Sequence, residues 1–264
     1  MSNNNNDILF YEIRNKVAYI TLNRPDMAHA FNWELMNAFY DALKKADADN
    51  KVKCVLIQST GDRAFSSGID IKATTPDDQE YIAKMRRIGR EINQYILLMK
   101  KPTICKVQGS AIGFGFEVVM ACDLKIFADK PFEEMKFRMP EIAISIYPQT
   151  GATILPLLTF GLTYAKNILL TADYFGLEDL KKFNIPTRIF PPDKLDVETR
   201  KFLRTFSKRD YSFSFLIKAS LNIMHNKWIK RWFDLEDECG KLAYSKKSMG
   251  ELDEIIKELY KKYP

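Results

Sequence analysis

Residues 103–117 have the sequence TICKVQGSAIGFGFE. The first five residues are mostly apolar or β-branched, which predicts a buried strand, and a helix is predicted to begin near Gly113. Glycines at such a strand-to-helix corner free the backbone to expose its N–H groups, and the helix N-terminus adds a partial positive charge. This corner is therefore a candidate site for stabilising a developing negative charge on an oxygen atom.

An upstream segment predicts a second corner of the same kind. Residues 64–72, AFSSGIDIK, follow a predicted buried strand at 52–58 and its loop. Two corners from neighbouring strands could direct two backbone N–H groups at one oxygen, which would stabilise an enolate. The corner at Gly113 is not a nucleotide signature, because Gly113 and Gly115 lack the third glycine of a dinucleotide fingerprint and no Gly-Lys-Ser/Thr sequence follows.

Strand-like and helix-like segments alternate through the first two thirds of the chain. The alternation predicts an α/β fold, and two strands before the first helix favour a spiral of stacked ββα units over a doubly wound sheet. Strands are predicted at 8–13, 17–22, 52–58, 103–107, 124–127 and 188–190, and helices at about 32–46, 78–99, 113 onward, 150–158 and 162–170.

The character of the chain changes after residue 198. Residues 199–264 have almost no strand pattern and contain three helical stretches rich in Lys, Glu, Leu and aromatic residues. Trp228, Trp232 and Phe233 lie close together there, which is typical both of a small helical core and of a subunit interface. We predict a core over 1–198 and a helical subdomain over 199–264, packed as one unit.

Composition excludes several classes of protein. The chain has 264 residues and a net charge of +6, which is ordinary for a globular domain. Its four cysteines have no CxxC spacing, so we expect reduced thiols and no metal site. Only His29 and His225 are available to a Ser-His-Asp or Cys-His enzyme, and neither accompanies a nucleophile motif. The polar N-terminal run predicts a cytoplasmic location, and we expect no membrane association.

Several short segments together resemble the enoyl-CoA hydratase/isomerase (crotonase) superfamily. The resemblance is continuous from about residue 9 to 170 and implies a crotonase-like spiral of stacked ββα units with a C-terminal helical subdomain. The segments are Asn23-Arg24-Pro25, FSSGIDIK at 65–72, Lys101-Pro102, GFGFE at 113–117, Cys122-Asp123 and FRMPE at 137–141.

The resemblance also implies a substrate and an assembly. The substrate is a coenzyme A thioester, no cofactor is bound tightly, and the chain forms a homotrimer or a dimer of trimers. Residues 1–198 would then carry the CoA-binding and active site, and residues 199–264 would serve oligomerisation.

The resemblance assigns roles to individual residues. The peptide N–H groups of Ile69 and Phe114 would form the oxyanion hole, and Glu117 and Glu141 would be the catalytic carboxyls. Further expected contacts to the substrate or its CoA moiety come from the first corner and from Phe114, that is from Ser67, Ile69, Asp70, Ile71, Lys72 and Phe114.

Two carboxyls suit the hydration of an α,β-unsaturated thioester, which adds water at Cβ and a proton at Cα. One carboxyl can position and deprotonate the water, while a second, in its acid form, donates to Cα. Two such groups in one dry pocket push their protonation states apart. We therefore expect Glu117 to orient the water and Glu141 to act as the main proton shuttle.

The sequence departs from the superfamily pattern near the site. Phe114 stands where consecutive glycines are usual, so its ring would reshape the acyl pocket. The stretch 130–136 is about four residues longer than usual, so the choice of Glu141 over Glu133 or Glu134 depends on the Phe-x-x-Pro-Glu match. Gln149 replaces the glycine of a Pro-Gly pair, and its amide could hold a polar acyl group or displace the water.

The leading hypothesis is an enoyl-CoA hydratase. An enoyl-CoA isomerase would need only Glu141 as a relay base, and another crotonase-type lyase or hydrolase would use the same oxyanion hole. A non-catalytic acyl-CoA or RNA binding protein is a further alternative. We expect no nucleic-acid partner, because the sequence lacks a basic surface strand interleaved with aromatic residues.

Overall fold

The computed structural model describes residues 7–71, 79–245 and 247–263. The predicted contact at Lys72 lies outside the described residues. Nine strands and eight α-helices are seen in this part of the chain. The strands are Leu9–Arg14 (β1), Val17–Leu22 (β2), Cys54–Ser59 (β3), Ala64–Ser66 (β4), Thr103–Val107 (β5), Ser110–Ile112 (β6), Leu124–Ala128 (β7), Phe137–Arg138 (β8) and Arg188–Phe190 (β9).

The helices follow the strands in a repeating order. Each of the first three ββ pairs is followed by a helix, and the fourth pair by a short 3₁₀ turn, Glu141–Ile144, and then a helix. The helices are Trp33–Ala48 (α1), Gln79–Leu98 (α2), Phe114–Ala121 (α3), Ile154–Thr171 (α4), Leu177–Lys182 (α5), Leu195–Phe206 (α6), Tyr211–Ala243 (α7) and Met249–Lys262 (α8).

The strands form two sheets. The larger sheet has the order β1-β2-β3-β5-β7-β9 and is parallel except for the β1–β2 hairpin. The smaller sheet, β4-β6-β8, is parallel throughout. From β3 onward, the first strand of each pair joins the larger sheet and the second joins the smaller. This arrangement confirms the predicted α/β spiral of stacked ββα units.

Local chemistry explains several boundaries. Asn32 caps α1, since its side chain accepts a hydrogen bond of 3.0 Å from the Leu35 N–H. Gly161 has a non-helical backbone inside α4, with φ at 77°. The predicted break between the helices at 150–158 and 162–170 therefore falls at this glycine, which adopts a left-handed φ without a steric penalty.

Two apolar clusters lie on the two faces of the larger sheet. The major cluster joins β2, β3 and β5 to α1, α2 and α3, and includes Phe31, Phe65 and Phe116. A smaller cluster lies beneath α6, where Leu195 and Leu203 pack on strand residues such as Ile104. The parallel strands are buried on both faces, as their nearly continuous apolar sequences predict.

The C-terminal helices pack on this core. Residue 198 lies within the first turn of α6, and α7 contacts both α2 and α4. The division into a core over 1–198 and a helical region over 199–264 therefore stays a proposal. Helix α4 has the length and apolar composition of a membrane span, but it is a core helix here, packed against α3 and α7 with Ile154, Leu155 and Phe160 buried.

Candidate active site

The three segments singled out in the sequence converge at one edge of the smaller sheet. Its strands β4, β6 and β8 run parallel, so their carboxyl ends meet at the same edge. The first corner follows β4, the second follows β6, and the Pro140-Glu141 pair follows β8. The smaller sheet thus brings together residues that lie more than 70 positions apart in sequence, Ile69 and Glu141 among them.

The first corner directs one peptide N–H away from its own strand. Phe31 accepts a hydrogen bond from the Asp70 N–H at 2.9 Å and donates one to the Gly68 carbonyl at 2.8 Å. Ile69 lies between Gly68 and Asp70 in this parallel bridge, so its own N–H points to the side away from Phe31. Gly68 is in a left-handed conformation, with φ at 93°.

The second corner meets the first at very close range. A Cβ atom added to Gly68 would lie 2.8 Å from the Ile112 carbonyl oxygen and 3.3 Å from the Phe114 nitrogen. One added to Gly115 would lie 2.6 Å from the Ser66 carbonyl oxygen. Only glycine fits at these two positions, because any side chain would force the corners apart. The N–H of Phe114, at the first position of α3, is thereby held beside the Ile69 corner.

The Phe114 ring is directed into the core. It is 2% exposed and packs edge-on against Phe31, with ring centroids 5.0 Å apart. Its other side faces α2, where a Cβ on Gly89 would lie 3.2 Å from the ring. The ring therefore fills space beside the two corners, and its effect on the acyl pocket stays a prediction.

Glu117 is buried on the first turn of α3. Its carboxyl Oε2 accepts a hydrogen bond from Asn93 Nδ2 at 2.9 Å and contacts Thr150 Oγ1 at 2.7 Å. Burial raises the pKa of Glu117 well above its ordinary value, and the charge of Glu141 adds to this increase, while the contacts from Thr150 and Asn93 oppose it. This carboxyl therefore favours its neutral form.

The two hydrogen bonds described for the Glu117 carboxyl reach the same oxygen. Asn93 Nδ2 and Thr150 Oγ1 both donate to Oε2. Oε1 is therefore the oxygen left for a ligand.

Glu141 lies beside the second corner, close enough to Glu117 for its charge to affect that carboxyl. A Cβ on Gly113 would be 3.4 Å from Glu141 Oε1, and Glu141 Oε2 is buried without a hydrogen-bond partner among the described residues. Burial raises the pKa of Glu141 to about 7, opposed by its own backbone N–H and by Arg138. Near neutral pH this carboxyl exists in both protonation states, which a proton shuttle requires.

The expected CoA-binding residues of the first corner have different surroundings. Ser67 and Ile71 are exposed, and Ser67 borders a cavity of about 530 Å³ that also reaches Ser110 and Ile112. The Asp70 side chain is 6% exposed and forms an ion pair of 3.2 Å with Arg24. Its carboxylate therefore stabilises the corner from inside, and any contact of Asp70 with a ligand would come from its backbone.

Gln149 lies between the carboxyls and the C-terminal helices. Its neighbour Thr150 contacts Glu117, while its own Nε2 would be 2.4 Å from a Cβ on Gly240 in α7. Its Oε1 is buried and has no hydrogen-bond partner in the described chain. The side chain thus packs into a gap that exists because α7 has glycine at that turn.

Glu236 is a residue near the site that sequence reasoning missed. This buried carboxylate on α7 accepts hydrogen bonds from the N–H groups of Gly151 and Thr153, both at 2.8 Å, and of Ile154 at 3.2 Å. It therefore caps the N-terminus of α4 and fixes the turn that carries Thr150. No local motif marks such a cap, because its donors lie more than 80 residues away.

His29 is a structural residue. Its Nδ1 accepts a hydrogen bond from the Arg24 N–H at 3.1 Å, and its Nε2 lies 2.9 Å from the Thr60 carbonyl oxygen. One nitrogen must accept and the other must donate, so the ring is neutral, and burial lowers its pKa further. This arrangement leaves no ring nitrogen for a nucleophile.

Comparison with known proteins identifies the family. Residues 12–251 match the family described as enoyl-CoA hydratase/isomerase, and the chain belongs to this crotonase superfamily.

Relatives cover most of the chain. It is 29% identical over 239 residues to a crotonyl-CoA hydratase from Syntrophomonas wolfei, covering 90% of each protein. It is 25% identical over 233 residues to a trans-2-decenoyl-(acyl-carrier-protein) isomerase from Streptococcus mutans, covering 87% of this chain and 86% of the isomerase. The crystal structure of an enoyl-CoA hydratase/isomerase from Xanthobacter autotrophicus Py2 superposes with a TM-score of 0.80 at 25% identity, covering 94% of this chain and 91% of the other.

Proposed function

We propose that this chain is an enoyl-CoA hydratase, which adds water reversibly to a trans-2-enoyl-CoA and gives a 3-hydroxyacyl-CoA. The observation that carries the proposal is a pair of carboxyls, Glu117 and Glu141, beside the two corners that carry Ile69 and Phe114, close enough together for the charge of Glu141 to raise the pKa of Glu117. A one-carboxyl reaction would not need Glu117 to be held by Asn93 and Thr150. The crotonyl-CoA hydratase relative agrees with this choice.

In the proposed reaction, the thioester oxygen accepts hydrogen bonds from Ile69 N–H and Phe114 N–H. These donors stabilise the negative charge that develops on that oxygen as water attacks Cβ. Because Glu117 is more deeply buried than Glu141, the proton of a singly protonated pair belongs on Glu117. Neutral Glu117 orients the water, while ionised Glu141 takes a proton from the water and delivers a proton to Cα.

The CoA moiety would run past the first corner. The cavity beside Ser67 has mixed charge: its two cationic lining residues are Arg63 and Lys130, and its three anionic ones are Asp62, Glu133 and Glu134. We expect the pantetheine chain to contact the backbone of residues 67–71, and no tightly bound cofactor is needed for the reaction.

A second candidate is an enoyl-CoA isomerase, in which Glu141 alone moves a proton between two carbons. Gln149 favours this alternative, because it replaces the glycine expected near the attacking water, and its side chain packs against Gly240 next to the turn that carries Thr150. The isomerase relative from Streptococcus mutans belongs to the same superfamily.

The two candidates separate in one pair of assays. With crotonyl-CoA, a hydratase consumes the conjugated thioester, so its absorbance decreases and 3-hydroxybutyryl-CoA appears. With trans-3-hexenoyl-CoA, an isomerase creates the conjugated thioester, so its absorbance increases. Turnover of the first substrate alone supports the hydratase. Turnover of the second substrate alone contradicts the hydratase, and so does a protein that turns over neither. In the latter case, a salt-dependent RNA shift assay would test whether the chain is a non-catalytic RNA-binding protein.

We also propose that a second copy of the chain covers one face of α7. Phe213, Ile217 and Leu221 recur every four residues on this helix, and each is more than 60% exposed. An apolar row of this kind usually marks a protein–protein interface. This assignment agrees with the expected homotrimer or dimer of trimers.

A further inference from the structure

A second cavity lies behind the candidate site, between α2 and α7. Its volume is about 600 Å³. Four cationic side chains and two anionic ones line it. The cationic residues are Arg86, Arg87, Arg90 and Lys241, and the anionic ones are Glu91 and Asp237.

The arginines of this cavity are not equally neutralised. Arg90 forms ion pairs with Asp237 and, at 2.5 Å, with Asp234. Arg86 donates to the Tyr244 hydroxyl at 3.1 Å and stacks on that ring, but neither Arg86 nor Arg87 has an ion pair with a carboxylate in the described ranges of the chain. Among the described residues, two guanidinium groups are therefore left without an anionic partner.

The cavity shares a wall with the candidate site. Gln149 lines the cavity, and the next residue, Thr150, contacts the Glu117 carboxyl. On α2, Asn93 reaches Glu117, while Arg90 and Arg86 lie on the same side of the helix, about one and two turns earlier. The buried Gln149 Oε1, which lacks a partner among the described residues, lies in this shared wall.

The packing around the thioester position determines where an acyl chain can go. The Phe114 ring is wedged between Phe31 and Gly89, which closes the side that faces the core. On the opposite side, Gln149 and Thr150 stand between the two carboxyls and the cavity between α2 and α7.

We propose that this cavity receives the far end of the acyl group, and that the preferred acyl group carries a carboxylate there. The inference rests on the proposed function, since it needs the thioester to sit between the two corners. A guanidinium binds a carboxylate through two parallel, charge-assisted hydrogen bonds. An apolar tail would instead desolvate Arg86 and Arg87 without replacing their hydrogen bonds to water.

The test compares acyl-CoAs that differ only at the end of the chain. Saturated compounds are used because they bind without reacting: glutaryl-CoA against pentanoyl-CoA, and adipyl-CoA against hexanoyl-CoA, by isothermal titration calorimetry. We expect the carboxylate-terminated member of at least one pair to bind 10-fold or more tightly, with a preference that weakens as salt is added. Equal or weaker binding of both carboxylated compounds would overturn the inference.

Two variants test whether Arg86 and Arg87 cause the preference for a carboxylate-terminated acyl-CoA. Arg86→Gln and Arg87→Gln should each reduce it several-fold and together abolish it, while the affinity for the uncharged acyl-CoA stays the same or increases. Arg87 is exposed and has no ion pair with a carboxylate of the described residues, so Arg87→Gln tests the cavity even if Arg86→Gln disturbs Tyr244. Arg204→Gln, at an exposed position on α6, is the matched control and should bind like the wild type. A preference that survives the double variant would contradict the assignment.

The binding test of this inference and the hydration test of the proposed function can fail independently. Hydration of crotonyl-CoA without any preference for a terminal carboxylate leaves the function standing and removes this inference. A preference for the terminal carboxylate in a protein that does not hydrate crotonyl-CoA leaves this inference standing and removes the proposed function. If none of the four acyl-CoAs binds, both are contradicted.

Discussion

The protonation of Glu141 links the site to pH. Its pKa is raised to about 7, so below that pH both carboxyls of the pair are neutral and no base is present to accept the proton of the water. Hydration should therefore increase as pH rises through about 7. The measurement is kcat/KM for crotonyl-CoA from pH 5 to 9. A rate that is flat across this range, or that decreases through pH 7, would contradict the assignment of Glu141 as the base.

Glu141 should also lower the free energy of unfolding at pH values at which its carboxyl is ionised. A raised pKa means that the folded state favours the neutral form, so the stability of the wild type is lost progressively as pH rises from about 4.5, the ordinary value, to about 7. Glu141→Gln has no such loss. Allowing for partial exposure, we expect the variant to be more stable than the wild type by about 2 kcal/mol at pH 8 and by little at pH 4.5.

Urea unfolding of the wild type and Glu141→Gln at the two pH values measures this difference. Glu178→Gln, on an exposed side chain of α5, is the control and should show no pH-dependent gain. A Glu141→Gln variant that is less stable at pH 8 than the wild type would indicate a structural role for the carboxyl.

At the scale of elements, helix-interior glycines make room for the site. A Cβ on Gly89 would lie 2.8 Å from the Thr150 Cγ2 methyl group and 3.2 Å from the Phe114 ring. Gly89→Ala should improve the helix propensity of α2 by about 1 kcal/mol, yet it forces Thr150 away from Glu117. We expect kcat to fall by about 10-fold or more. The matched control is Gly250→Ala in α8, which should leave kcat unchanged. A Cβ at Gly250 would have no described atom within 4 Å, apart from its chain neighbours and the backbone of its own helix.

The cap of α4 is a second link between elements. Glu236→Gln keeps the shape of the side chain but turns an amide NH₂ towards backbone N–H groups that need acceptors. Loss of this buried cap should lower the free energy of unfolding by about 1–3 kcal/mol and also lower kcat, because the Thr150 turn moves. Urea unfolding and crotonyl-CoA kinetics check the two effects. A variant that loses stability but retains full kcat would show that the cap does not position the site.

The elements also show what sequence reasoning could and could not predict. Long segments with clear periodicity, such as α1 and β5, were predicted within a few residues. The strands β4, β6 and β8 were not, because two or three residues are too few for an alternating pattern to appear. They form the smaller sheet, so the convergence of the site segments depended on resemblance rather than on derivation.

Long-range partners were missed for a different reason. Glu236 binds a turn that lies 83 residues or more away in the sequence. The approach of Gln149 to Gly240 in α7 also joins residues that are far apart in the sequence. A signal did exist, since Gly89 and Gly240 lie inside helical patterns where glycine costs about 1 kcal/mol relative to alanine. Such a cost indicates that something packs closely, although the sequence alone does not identify it.

At the scale of the whole molecule, assembly should follow from α7. If a second copy covers the apolar row of Phe213, Ile217 and Leu221, then Ile217→Glu places a charge in that interface. We expect a trimer or hexamer in the wild type and smaller species in the variant by light scattering with size-exclusion chromatography. Lys230→Glu, an exposed change farther along the same helix, is the control. A wild type that is monomeric at micromolar concentration would contradict the interface.

The central claim is that Glu117 and Glu141 together perform acid–base chemistry on a CoA thioester. It is tested most directly by kcat for crotonyl-CoA hydration in the wild type, Glu117→Gln and Glu141→Gln, with Glu178→Gln as the control. We expect each site variant to lose a factor of about 10² to 10⁴ while still binding a saturated acyl-CoA, and the control to retain full activity. Full activity in either site variant would contradict the claim.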